Sequence, residues 1–290
     1  RHLKYRELPM EQIEAELKRV RELHGKPKKI FLGDGNAFGL KTEKLYEILD
    51  LIAYYFPECE GINMDATVTS ILHKSQEELE MLARKKVKHL YLGIESGLDD
   101  VLKFMKKDHD LAQAYQAIDR LHGAGLIYDA HIMTGVAGKG RGMENAEALA
   151  KALEAAKSAV DTSAAGAMDI ADKEALTQGD QGLNWKNEDK LFIVPADELE
   201  TIREEYHLIE RIAPEKAGAN ILYDGFHDFI HVRVRGHLPG DKEKMLAKLN
   251  GIIQEYEGKE PVYSFVQGEC PDLEYCDDGK AVWDMDRKTS

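Results

Sequence analysis

The sequence predicts an α/β fold built on a parallel sheet, and three observations predict it. Short apolar runs alternate with segments of helical period over the first half of the chain, glycines stand where those runs end, and the intervening helices are of ordinary length. Such a chain folds as a complete or partial βα barrel, or as a doubly wound sheet. The first periodic segment is Pro9 to His24, where Ile13, Leu17, Val20 and Leu23 recur at helical spacing; Pro9 suits a first turn and Gly25 a stop. Lys29 to Gly33 then reads as a strand, Thr42 to Phe56 as a helix, Gly61 to Asp65 as a strand and Gln76 to Arg84 as a helix. His89 to Ile94 is a third strand, followed by helices over Leu98 to Met105 and Leu111 to Gly123. Leu126 to Thr134 and Met143 to Lys157 complete the alternation as strand and helix.

Beyond Lys157 the pattern weakens. Ser158 to Asp172 is rich in Ala, Ser and Asp where an apolar strand is expected, and Gln178 to Lys190 reads as an irregular loop. Ala196 to Ile212 is helical, with Leu199, Ile202, Tyr206 and Ile209 on one face. Asn220 to Arg235 reads as strand and turn, Asp241 to Tyr256 as a helix, and the polar stretch from Gly258 as an extension of unknown order. The expected division is a barrel over residues 1–215 and an α+β extension over 216–290.

Composition limits the partners. The 290 residues carry 53 acidic and 39 Lys and Arg side chains, a formal net charge of -14, which argues against a surface built for nucleic acid or anionic lipid. A small molecule or a peptide is the expected substrate. Three cysteines, Cys59, Cys270 and Cys276, are too few and too unevenly spaced for a disulfide scaffold, so a reducing cytoplasm is expected. No apolar run reaches the roughly 20 residues of a membrane span, and no charged-then-apolar leader opens the chain.

The most informative stretch is Tyr91-Leu92-Gly93-Ile94-Glu95-Ser96-Gly97, a short strand that stops on a glycine-framed carboxylate and hydroxyl and runs into the helix of Val101-Leu102-Lys103-Phe104-Met105-Lys106-Lys107. Ligands bind at such carboxyl ends of parallel strands. Glu95 suits a pair of ribose hydroxyls and Ser96 a carboxylate, so the two together suit a zwitterionic nucleoside. Gly33-Asp34-Gly35-Asn36-Ala37 ends an earlier strand with a backbone that a ligand can approach closely. Asn63, Asp65 and Thr67 end another, either as turn caps or as ribose or substrate contacts. Ile132-Met133-Thr134-Gly135-Val136-Ala137-Gly138 ends the next strand with apolar side chains and a glycine-opened backbone, and resembles a Gly-x-Ile-x-Gly element that, in the family named below, lies against adenine. His227, His231 and His237 lie close in sequence, but their spacing matches no common zinc site.

The Gly-Ile-Glu-Ser-Gly strand end with its Val-Leu-Lys-x-Met-Lys-Lys helix resembles the fourth strand of radical S-adenosylmethionine (radical SAM) enzymes, particularly the coproporphyrinogen-oxidase-like and Elongator-like ones. The order of the other strand ends, and a Gly-x-Leu-Pro-x-Asp-Lys stretch at Gly236 to Lys242, agree with it. The resemblance implies a partial (β/α) TIM-like barrel with S-adenosylmethionine lying across the strand ends. It implies cofactor contacts from Gly33, Asp34, Gly35, Asn36, Asp65, Glu95, Ser96, Met133 and Gly135, with Lys107 on the methionine carboxylate. It also implies a 4Fe-4S cluster held by a C-x3-C-x2-C loop, which this chain lacks and which is expected ahead of Arg1, since the barrel here begins on a helix. By the same resemblance, reductive cleavage gives a 5'-deoxyadenosyl radical that abstracts hydrogen from a substrate, with flavodoxin or ferredoxin as electron donor. Two other readings stand beside it. One is a cluster-free nucleoside-binding or scaffold barrel; the other is a metal-dependent barrel hydrolase using His73, Glu95 and His131.

Overall fold

The computed structural model describes residues 6–33, 36–154, 160–164, 176–179, 182–186, 192–193, 195–213, 220–227 and 230–263. In chain order they form α1 (Met10–Glu22), β1 (Lys29–Leu32), α2 (Thr42–Tyr55), β2 (Gly61–Ala66), α3 (Val68–Leu72), α4 (Gln76–Arg84) and β3 (Val87–Glu95). Then come α5 (Asp99–Phe104), α6 (Leu111–Ala124), β4 (Ile127–Thr134), α7 (Gly142–Glu154) and β5 (Val160–Ala164). Three short strands, β6 (Leu176–Gly179), β7 (Gly182–Lys186) and β8 (Phe192–Ile193), precede α8 (Glu198–Arg211), β9 (Ile221–His227), β10 (Val232–Leu238) and α9 (Lys242–Tyr256).

The main sheet has seven strands in the order β1-β2-β3-β4-β5-β9-β10. Neighbours are parallel from β1 through β5 to β9, and β10 returns antiparallel as a hairpin edge. This is a partial (β/α) barrel. The helices start and stop where local chemistry dictates. Ser75, Asp110 and Asp197 close capping boxes at the N-termini of α4, α6 and α8, and Gly125 in the left-handed region (φ 73°) ends α6.

Alternation along each strand gives the sheet two unlike faces. Met64, Leu90, Leu92, Tyr128, Ala130 and Tyr223 are buried on the face that packs against the helices. On the other face, register sets Asp65, Tyr91 and Asp129 in one row, with Asn63 and His89 paired below them and Gly93 and His131 above. Tyr91 makes edge contacts with Phe31 and His131, at ring separations of 5.5 and 5.6 Å. His89 Nε2 lies 3.0 Å from Asp129 Oδ1, near enough for an ion pair but not aligned as a hydrogen bond.

Three stretches differ from the sequence reading, the first being α3, a short capped helix between β2 and α4 where none is expected. The strand missing from the apolar pattern is β5, made of Val-Asp-Thr-Ser-Ala and paired on both sides, so neighbouring strands supply what its side chains lack. The loop expected over Gln178 to Lys190 instead includes most of a hairpin: β6 and β7 pair antiparallel from Leu176↔Trp185 to Gly179↔Gly182, and β8 joins them in a separate sheet. Pairing between neighbouring strands is a feature that composition alone hides. The boundary expected at residue 215 lies outside the described residues. Among the described residues no helix is long and apolar enough to cross a membrane.

Candidate functional site

β3 ends in a bulge. Its pairing with β4 runs Gly93↔His131 and then Glu95↔Ile132, so Ile94 is an extra residue, and Glu95 takes a left-handed conformation (φ 67°). That conformation is strained for a side chain larger than glycine, and such strain concentrates at ligand sites. The Glu95 carboxylate folds back across Gly93. A Cβ on Gly93 would stand 2.5 Å from Glu95 Oε1, so the position needs glycine for the carboxylate to lie there. Lys107, in the turn after α5, donates from Nζ to Glu95 Oε1 at 2.7 Å.

The pair borders a cleft of about 240 Å³ at the carboxyl ends of the strands. Asp65, Ala66 and Thr67 line it from the end of β2, Tyr91 and Gly93 from β3, His131 from β4, and Asp108 and His109 from the turn beside Lys107. Thr67 caps α3, and Thr69 donates its hydroxyl to Asp108 Oδ2 at 2.6 Å. Burial would raise the Asp108 carboxyl, but the hydrogen bonds from Thr69 and His109 outweigh it and hold the group below its ordinary value. Asn36, beyond the end of the first strand, stands behind Thr67, its Nδ2 donating to Thr67 Oγ1 at 3.4 Å. Its Oδ1 is buried without a hydrogen-bond partner among the described residues.

Of the residues singled out from the sequence, Asp65, Glu95 and Lys107 meet in this cleft, and Asn36 abuts it through Thr67. Gly33 directly follows β1, while Asp34 and Gly35 lie outside the described residues. Ser96 is fully buried and donates its hydroxyl to Asn145 Oδ1 at 2.8 Å. Met133 packs with Val101, Phe104, Val136 and Ala137 in a small apolar cluster. Gly135 is left-handed (φ 81°) and donates its N–H to Glu204 Oε2 at 2.8 Å. His73 caps α3 and is not among the cleft residues. His227 is buried between Glu198 and Glu205, apart from His237 on β10. No group of His, Cys, Asp and Glu among the described residues is arranged to hold a metal ion.

Sequence reasoning missed Tyr91, Asn145, Glu204 and Glu205. Glu205 had a signal: it falls on the apolar stripe of α8 with Ile202, Leu208 and Ile209, all buried, and a carboxylate on such a stripe requires a partner. Glu204, one turn before the buried Leu208, had the same signal, and Asn145 had none, because its partners lie at least 48 residues away in sequence.

The residues present fit a zwitterionic nucleoside such as S-adenosylmethionine. An orphaned amide oxygen at Asn36 suits an ammonium, Glu95 suits ribose hydroxyls, Lys107 suits a carboxylate, and Gly93 keeps the approach open. They do not fit a 4Fe-4S cluster. The one described cysteine, Cys59, is buried just ahead of β2, its thiol 3.4 Å from Gly61 O, at the end of the strands away from the cleft.

Residues 1–153 match the sequence profile of the Radical SAM superfamily. Among solved structures the chain is similar to archaeal Methanocaldococcus infernus Elp3 with an N-terminal deletion, at 15% identity over 68% of this chain and 48% of that one, with a TM-score of 0.46. It is similar to coproporphyrinogen III oxidase from Escherichia coli, described as a radical SAM enzyme, at 11% identity over 80% and 57%, with a TM-score of 0.49. Methylornithine synthase aligns at 13% identity over 77% and 64%, with a TM-score of 0.46. The chain thus spans about half the length of the first two. No curated protein matches it.

Proposed function

The chain belongs to the radical SAM superfamily, and from that premise we propose that its strand-end cleft is the S-adenosylmethionine platform of a radical enzyme. The observation that carries the reading is the Glu95–Lys107 pair, folded over Gly93 by a bulge at the end of β3. Glu95 accepts hydrogen bonds from the ribose hydroxyls, and Lys107 turns its ammonium toward the methionine carboxylate. Asn36 Oδ1 accepts from the methionine amine, with the Gly33 backbone beside it. The apolar segment from Met133 to Gly135 flanks the adenine, and Asp65 faces the ribose or the substrate. Each of these contacts fixes orientation and excludes water from the sulfonium.

The chemistry of the superfamily is reductive cleavage of S-adenosylmethionine at a 4Fe-4S cluster, and the described residues offer no thiolates suited to one. The cluster ligands of a radical enzyme therefore have to come from outside the described residues. The wording of the β3 end and α5 favours the coproporphyrinogen-oxidase-like or Elongator-like branch. The acidic balance of the chain favours a small-molecule or peptide substrate over nucleic acid, while a small redox protein such as flavodoxin or ferredoxin as electron donor follows from the family resemblance and a reducing cytoplasm from the few cysteines.

A second reading, a cluster-free barrel that binds a nucleoside and performs no radical chemistry, rests on the nucleoside-suited cleft alone, which needs no cluster to bind its ligand. Two measurements separate them. Calorimetric titration with S-adenosylmethionine and S-adenosylhomocysteine is expected to show binding that Glu95→Ala abolishes; no heat with either compound would sink both readings. Reading the native codons ahead of Arg1 then decides between them: C-x3-C-x2-C supports the radical enzyme, and an initiation codon without it supports the binding protein.

A further inference from the structure

A buried chain of hydrogen bonds joins the ends of β3 and β4 to α7 and α8. Asn145 Oδ1 accepts from Ser96 Oγ at 2.8 Å and from the Gly97 N–H at 2.9 Å. Its Nδ2 donates to Glu204 Oε1 at 2.6 Å, and Glu204 Oε2 accepts the Gly135 N–H at 2.8 Å. Ser96, Asn145 and Glu204 are all at most 2% exposed. The polarity is fixed. With both donors from β3 on the Asn145 oxygen, its amino group faces α8 and requires an acceptor, and Gly135 requires another. An ionised carboxylate, which only accepts, meets both demands with one oxygen each.

Packing closes around these bonds. A Cβ on Gly97 would lie 2.6 Å from Ala148 Cβ and 2.7 Å from the Leu149 backbone nitrogen, and a Cβ on Gly142 would lie 3.0 Å from Glu204 Cβ. The first turns of α7 are thus pressed directly onto the residue after Ser96 and onto Glu204.

We propose that Asn145 and Glu204 are positioning residues for the cofactor cleft. They hold the Ser96–Gly97 turn and the Gly135 amide in a set relation, so that the Glu95 carboxylate at the end of β3 faces the Met133–Gly135 edge of β4 at a constant spacing. Neither touches the ligand. The inference rests on the cofactor reading above only for what the clamp serves; the clamp itself rests on the bonds.

Its polarity supplies the test. Glu204→Gln has one acceptor and one donor, so it satisfies either Asn145 or Gly135 but not both. Asn145→Asp sets a second carboxylate against Glu204. Joined in one chain, the two substitutions restore all four bonds with the charge moved from position 204 to position 145. The carboxylate introduced at 145 accepts from Ser96, from Gly97 and from the amide introduced at 204, and the oxygen of that amide accepts from Gly135. Full-length protein carrying each variant is titrated with S-adenosylhomocysteine, and amide exchange at Gly97 and Gly135 is followed by NMR alongside the melting temperature.

Glu204→Gln is expected to weaken binding by about tenfold or more and the double variant to return it to within about threefold of the parent, since one lost buried hydrogen bond is worth roughly that much. Ser96→Ala, a smaller change should Glu204→Gln fail to fold, is expected to weaken binding about threefold and to speed exchange at Gly97. Binding that is unmoved by Glu204→Gln, or that stays weak in a double variant whose melting temperature has recovered, overturns the positioning role. Should the parent bind no S-adenosylhomocysteine, the cofactor reading is what fails. Amide exchange then judges the clamp: faster in Glu204→Gln and slowed again in the double variant supports it, unchanged throughout overturns it.

Discussion

Glu95 and Lys107 pair at the mouth of the cleft with side chains 16% and 29% exposed, whereas Glu198 and Glu205 flank His227 with all three at 1% or less. Both groups sit at carboxyl ends of parallel strands, yet water separates their uses. An ion pair that solvent reaches contributes little stability, so either partner can turn to a ligand at small cost. A buried one has given up its hydration and cannot trade partners. His227 Nε2 is 2.8 Å from Glu205 Oε2 and Nδ1 is 3.3 Å from Glu198 Oε2, while Tyr223 donates its hydroxyl to Glu205 Oε1 at 2.9 Å. That group fastens α8 to β9. The carboxyl ends of the sheet thus carry a solvent-accessible pair at the cleft and a fixed, buried group at the end of β9.

The largest expected effect breaks the fixed group. His227→Ala leaves two carboxylates buried without their cation, which costs about 3–5 kcal/mol and is read as a fall in thermal midpoint. Lys107→Ala is expected to leave the midpoint nearly unchanged. Equal losses would erase the distinction between the two regions.

The pH dependence sharpens the contrast. Burial lowers the His227 pKa, but its hydrogen bonds to Glu198 and Glu205 outweigh that and raise it to about 9. Its stabilisation is then complete below the unfolded value near 6.5 and is lost as pH rises through about 9. Burial raises Glu204 to about 7 against the opposing hydrogen bonds from Asn145 and Gly135 and the nearby His227 charge. A carboxyl raised in the folded state also makes stability fall with rising pH, here between the unfolded value near 4.5 and about 7. Thermal unfolding across pH 5 to 9.5 should decline in two stages, with Glu204→Gln removing the lower and His227→Ala the upper. A midpoint that rises over this range would contradict both assignments.

The division between legible and hidden parts follows sequence distance. Strands β1 to β4 and the longer helices between them announce themselves by local periodicity, Glu95 by its glycine-framed strand end and Asp65 by its place at the end of β2, while Lys107 comes from the resemblance of the helix that follows β3. Each of these signals is complete within a dozen residues or so. β5 and the β6–β7 hairpin escape because their stability comes from pairing rather than from apolar side chains. Ser96 is the instructive residue at the site. Adjacent to Glu95 in a turn of obvious importance, it reads as a ligand contact, yet its side chain is fully buried and its hydroxyl goes to Asn145, 49 residues on in α7. No local pattern encodes the acceptor of a hydroxyl that far away.

Two glycines on either side of the bulge at Ile94 give the smaller effects. Gly97→Ala drives a methyl into Ala148 Cβ and the Leu149 backbone, atoms of a helix that cannot step aside, and should cost about 1–3 kcal/mol by overpacking. Gly93→Ala meets only the end of a side chain: Glu95 Oε1 at 2.5 Å, with Lys107 Nζ at 4.0 Å. The carboxylate can swing toward solvent, so stability should stay within about 0.5 kcal/mol of the parent. What it gives up is its position over the cleft, and S-adenosylhomocysteine should bind about tenfold more weakly, the equivalent of one charge-assisted hydrogen bond. Measured side by side, the two variants should separate stability from binding across four residues of one strand end. If Gly93→Ala destabilises the protein as much as Gly97→Ala does, the Glu95 carboxylate is locked rather than replaceable, and its role as a ligand contact falls with it.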